Sequence, residues 1–201
     1  MFSLNLFLGH FIGEHAFSNV YSESFTNKKG YYKHLIWIVL LFLALTFDSL
    51  LSVGAVFIIA ALLMHVGVDL LRMKKKSSLL LELASLAAFL LLSIASTSFM
   101  KESYISWEFQ LYLCGMMIST SFGSYLFRTF GLIDREKKDT TGATERLVIF
   151  IFMLSHQYLW VFLSALIALG YKLMIEKRKD KELLLSPVYG ILTSLIWMFI
   201  M

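Results

Sequence analysis

Apolar positions along the chain gather into seven segments, and the polar positions between them form short hinges. The first segment, Phe2 to Val20, sets Leu4, Phe7, Leu8, Phe11 and Ile12 on a helical repeat but also carries Asn5, His10, Glu14 and His15. That mixture predicts an amphipathic helix, spanning the membrane or lying partly in its interface. The second segment, Tyr31 to Phe47, is continuously apolar from Leu35 onward, and the third runs from Leu50 to Leu71, closed by Arg72, Lys74, Lys75 and Lys76. Only Asp48, Ser49 and Ser52 stand between these two, which predicts a tight helical hairpin. The fourth, fifth and sixth segments are Leu79 to Met100, Phe109 to Ile133 and Leu147 to Tyr171. Each is near or above the ~20 residues that cross a hydrocarbon layer of ~30 Å. The last, Leu183 to Met201, holds Pro187 and Gly190 near its start, where proline is tolerated without breaking a helix. Asp134 to Arg146 is the one polar stretch of any length and reads as a surface loop.

Lipid offers the backbone no hydrogen-bond partners, so spanning segments of this length are helices. The expected fold is an all-α, polytopic transmembrane bundle of six to seven apolar helices, the first of them amphipathic. Composition sharpens this: 58% of residues are hydrophobic and 16% charged, against roughly 45–50% and 25% in soluble domains, and the mean hydropathy is +0.73. A water-soluble fold is excluded on that ground. With no long polar block, residues 1–201 read as a single membrane domain, with His- and acid-bearing helices over 1–76 and the remaining helices over 77–201. No Lys or Arg precedes residue 28, and three ionisable groups fall between His10 and His15, so the first segment is expected to be retained as a helix and not cleaved as a signal peptide.

Charge fixes the surroundings. The net charge of +4 comes from Lys and Arg at segment ends, where lipid headgroups meet them, so the lipid bilayer and not nucleic acid is the expected partner. If all seven segments span, one side receives twelve basic residues (Lys28, Lys29 and Lys33, then Arg72 to Lys76, then Arg128 to Arg146) and the other six. The residue 28–33 and 72–78 hinges are then cytoplasmic in a multi-pass protein of a bacterial plasma membrane. The late cluster Lys172 to Lys181 contradicts that rule, which predicts that a segment between residues 109 and 201 is tilted, broken or re-entrant. The lone Cys114 excludes a disulfide framework and reads as a small buried hydrophobe.

Candidate chemistry lies in ionisable groups inside apolar segments, where a charge costs roughly 2.5–3.5 kcal/mol at a helix centre and usually faces the bundle interior. His10 and Glu14 are four apart, as are His65 and Asp69, so each pair occupies one helix face. His34 opens the second helix. Imidazole with carboxylate suits a divalent metal such as zinc or manganese, so His10, Glu14, His34, His65 and Asp69 are the candidate ligands, with Glu14 and Asp69 as candidate acid–base groups. They are expected to converge on one site towards the cytoplasmic leaflet. A structural alternative is a set of buried pairs that merely satisfy one another. His15 reads as interfacial, His156 as a packing residue within the sixth segment, and Glu145 with Arg146 as an interfacial anchor with Thr144 as cap.

These motifs resemble the bacterial membrane-protein family known as domain of unknown function 3307. Leu8-Gly-His-Phe-Ile-Gly-Glu14 is similar to its opening His-x-x-x-Asp, Lys28 and His34 to the Lys and His leading its next helix, and His65 and Asp69 with Arg72 to its His-x-x-x-Asp and following basic residue. Gly142 to Ile149, Ala168 to Lys172 and Tyr189 to Ser194 resemble its later Glu-Arg, Lys-bearing and closing Tyr-x-x-Gly-Thr elements. Glu14 replaces the usual Asp, and Ser18 stands where the family has Gln. The family implies no established activity. Two functions follow from the residues: a metal-dependent hydrolase acting on a lipid or lipid-linked phosphate, or a small transporter or accessory subunit using the same groups for ion binding or helix association.

Overall fold

The computed structural model describes residues 2–16, 28–75, 78–100, 103–135, 137–178 and 180–201, all of whose regular elements are helical. Ser18 and Val20 of the first segment, with Lys76, Lys101 and Lys179, lie outside the described residues. The helices are α1 (Asn5–His15), α2 (Lys28–Thr46), α3 (Gly54–Lys75), α4 (Leu79–Ser96), α5 (Trp107–Met117), α6 (Gly123–Thr129), α7 (Thr140–Leu154), α8 (Tyr158–Met174) and α9 (Glu182–Ile200). Four stretches are long and apolar enough to cross a membrane: Lys29–Ser49, Gly54–Lys74, Leu79–Phe99 and Glu182–Ile200. They turn large apolar side chains such as Ile36, Leu40, Val56, Ile59, Leu63, Leu91 and Ile196 outward. The chain forms two compact units, Met1–Leu111 and Tyr112–Met201.

In the first unit α1 is the core, packed against α2, α3 and α4. The helix read as amphipathic, spanning the membrane or lying partly in its interface, is buried almost all round, with Leu6, Leu8, His10 and Glu14 at 0% exposure. Its central polar groups are met by other helices, His10 by His65 and Ser85 and Glu14 by Arg72. Even its N-terminal turn, where backbone N–H groups lack helical partners, is satisfied from outside: Leu4 N donates to Gln110 Oε1 at 2.7 Å and Phe7 N to Ser93 Oγ at 3.2 Å. Gly9 and Gly13 let α2 approach. A Cβ on Gly13 would lie 2.2 Å from Ile38 Cδ1, and one on Gly9 would lie 3.0 Å from the Phe42 ring. In lipid, where apolar burial supplies little drive, such small-residue packing and polar contacts hold helices together. The hairpin between α2 and α3 contains a short 3₁₀ turn, Phe47–Ser49, and α3 begins at Gly54, whose N–H donates to Ser52 Oγ at 3.0 Å. Helix α4 packs on α1 and α3, beside the His- and acid-bearing helices, and the division between the two compact units falls within α5.

In the second unit the fifth segment is helical from residue 112 to Thr129 but passes through a π-helical turn, Ile118–Phe122, before ending at Gly131, whose φ of 70° suits glycine. The sixth segment is not one helix. It divides into α7 and α8 at Ser155–Gln157, with His156 in the left-handed region at φ 56°. His156 is therefore an exposed turn residue, its Nδ1 3.0 Å from Tyr158 Oη, and not the packing residue expected. The hairpin returns the end of α8 to the start of α7, where Lys172 Nζ meets Glu145 Oε2 at 2.7 Å. The late basic cluster thus shares an end of this unit with Arg146. Pro187 sits within α9 without ending it.

Candidate metal centre

All five sequence-predicted residues meet in the first unit. His10 and Glu14 lie on one face of α1, His65 and Asp69 on one face of α3, and His34 comes from α2. Glu14, His34, His65 and Asp69 each present one donor atom, and these four atoms lie within 4.8 Å of one another. His65 Nε2 is 3.2 Å from Glu14 Oε1, 3.5 Å from Asp69 Oδ2 and 3.2 Å from His34 Nε2. His34 Nε2 is 3.7 Å from Glu14 Oε1 and 3.6 Å from Asp69 Oδ2. Asp69 Oδ2 is buried and makes no hydrogen bond. Only the His34 side chain has measurable exposure, 8%.

His10 stands one step behind the four. Its Nδ1 faces His65 Nδ1 at 3.0 Å, its Nε2 lies 3.3 Å from Ser85 Oγ, and its ring stacks on Phe89 with centroids 3.9 Å apart.

The sequence did not reveal the role of Arg72, which read as the basic end of a span. It is buried at 5% exposure and holds the outer carboxylate oxygens: Nη1 is 2.6 Å from Glu14 Oε2 and 3.1 Å from Asp69 Oδ1. Its other edge grips Glu82 of α4 through Nε at 2.9 Å and Nη2 at 2.6 Å. Glu82, an isolated acid in an apolar segment, carried a readable signal. Three buried carboxylates share this one guanidinium. His15, expected at the interface, is buried and packs edge-on to the Phe11 ring.

The second unit gathers a separate buried network. Helix α7 begins at Thr140, so Glu145 and Arg146 lie in its second turn, buried at 4% and 0% exposure, rather than forming an interfacial anchor with a Thr144 cap. Arg146 donates to Asp139 Oδ2 at 2.6 Å, Ser124 Oγ at 2.7 Å and Ser186 Oγ at 2.9 Å. It also donates to Ser119 O at 2.9 Å and Thr120 O at 3.2 Å, carbonyls of the π turn. Lys172 bridges Glu145 and Glu182, and Arg178 pairs with Glu176 and Glu182. Burial opposes the charge on Arg178, but Glu182, Glu176 and Asp180 outweigh it and hold its pKa above the ordinary value. Every cation here faces a carboxylate, which makes the network a tie between α7, α8 and α9.

Comparison of the chain with protein-family models, with curated proteins and with solved structures finds no match in any of the three.

Proposed function

We propose that the chain is a multi-pass membrane protein of the bacterial plasma membrane whose first unit holds one divalent cation between Glu14, His34, His65 and Asp69. The carrying observation is the donor spacing. A tetrahedral cation with bonds of about 2.0–2.1 Å keeps its donors about 3.3–3.4 Å apart, and five separations within this set fall between 3.2 and 3.7 Å. The resemblance of these residues to motifs of the domain of unknown function 3307 family points to the same grouping.

The reaction that such a site favours is hydrolysis of a lipid or lipid-linked phosphate ester. A bound cation lowers the pKa of water to about 7 and polarises a phosphoryl oxygen, and zinc can expand its shell to admit that water. Glu14 or Asp69 would then take the proton. A second reading, ion binding or helix association without catalysis, is favoured by one observation: Arg72 is shared among three carboxylates and offers the substrate phosphate little. Elemental analysis of detergent-purified protein tests the metal. One zinc or manganese per chain, lost in His65→Ala and Asp69→Asn, supports the site; metal-free wild type after loading with either ion removes it. Phosphate release from a lipid-linked phosphate by the loaded protein separates the hydrolase from the non-enzymatic reading.

A further inference from the structure

We infer that His10 is a positioning residue, which fixes His65 in the tautomer whose Nε2 lone pair is turned to the cation. This rests on the metal reading above, and it follows from counting protons along one buried chain. The Ser85 hydroxyl donates to Glu82 O at 2.8 Å. Its single hydrogen is thereby used, so at 3.3 Å from His10 Nε2 its oxygen accepts, and Nε2 carries the hydrogen. A neutral imidazole protonated on Nε2 has a bare Nδ1. Two bare nitrogens do not face each other at the 3.0 Å that separates His10 Nδ1 from His65 Nδ1, so His65 supplies the hydrogen there.

The consequence falls on the far side of the His65 ring. With Nδ1 protonated, Nε2 is a lone pair, and it lies 3.2 Å from Glu14 Oε1 and 3.5 Å from Asp69 Oδ2. A lone pair facing carboxylates is stabilised by a cation between them, the alternative being a hydrogen on His34 Nε2, 3.2 Å away. The reverse chain, with Ser85 donating to His10, would place a hydrogen on His65 Nε2 and make the cluster a metal-free tie; the shorter 2.8 Å contact to the carbonyl decides against it. His10 is held for this task. It is fully buried, stacked on Phe89 at an interplanar angle of 4° and set at 76° to the His65 ring. Groups that orient a ligating histidine through its other nitrogen tune metal affinity while staying out of the coordination shell.

The test uses the full chain in detergent, with zinc affinity read by chelator competition and the coordination shell by X-ray absorption. His10→Phe keeps a ring on Phe89 and removes both nitrogens; His10→Asn keeps an oxygen acceptor near the position of Nδ1. His10→Phe is expected to weaken zinc binding about 10–100-fold and His10→Asn to restore it towards wild type, with two imidazoles in the shell throughout. Wild-type affinity in His10→Phe overturns the inference, as does loss of one imidazole from its shell, which would make His10 a ligand. If His10→Phe does not fold, Ser85→Ala carries the comparison: it leaves His10 in place, removes the acceptor that sets its tautomer, and must also weaken binding. Wild-type protein that binds no zinc defeats the metal reading itself, whereas tight wild-type binding unaffected by these variants defeats only the role of His10.

Discussion

The Arg72 guanidinium lies 2.6 Å from Glu14 Oε2, joining the last turn of α3 to the last turn of α1. With Asp69 at 3.1 Å on the same nitrogen, this one contact turns the inner oxygens of both acids towards His34 and His65. Removing the cation side of such a buried group leaves carboxylates uncompensated.

Arg72→Met is therefore expected to destabilise the protein by about 3–5 kcal/mol, the usual cost of deleting one partner of a buried ion pair. Arg72→Lys restores the charge without the fork that spans Glu14 and Glu82, and should lie between. Added zinc should recover part of the loss in Arg72→Met, because a divalent ion offsets the same negative charge. Thermal unfolding in detergent, with and without zinc, measures both effects; an unchanged melting temperature in Arg72→Met refutes them.

At Gly13, helix α1 lies close against Ile38 of α2. Adding a methyl 2.2 Å from Ile38 Cδ1 overpacks the contact, so Gly13→Ala should cost about 1–3 kcal/mol. Ile38→Val removes the colliding carbon, and the double variant should recover much of the stability lost. A double-mutant cycle reads this coupling directly; simple additivity would show that the helices separate instead.

Arg146 is shared between Asp139, two serine hydroxyls and the π-turn carbonyls. Arg146→Gln strands Asp139 and is expected to cost about 3–5 kcal/mol. Asp139→Asn added to it should return part of that stability. Zinc binding is carried by other residues and should persist in both variants wherever they fold, so stability loss without metal loss is the expected signature.

The hairpin at Ser155–Gln157 brings the start of α7 beside the end of α8. Single cysteines at Lys138 and Lys177, placed in a Cys114→Ser background, should therefore react with an impermeant reagent from the same side of the membrane, the cytoplasmic one by the basic-residue rule. Labelling from opposite sides would mean that α7 and α8 form one continuous crossing.

Local properties of the chain settled the existence and extent of the long helices, because hydropathy and length act residue by residue in lipid. The i, i+4 spacing likewise placed His10 with Glu14 and His65 with Asp69, since helix geometry makes four-residue neighbours share a face. What lay beyond the sequence depended on partners distant in the chain. Whether Leu147 to Tyr171 crosses once or folds back at His156 involves Lys172 meeting Glu145, with neither proline nor glycine to mark the turn. Arg72 could face headgroups or carboxylates, and only the approach of α1 and α4 turned it inward. For the same reason α1 reads as amphipathic alone and is buried in the fold: its His10 and Glu14 are polar towards other helices, where Ser85, His65 and Arg72 complete them.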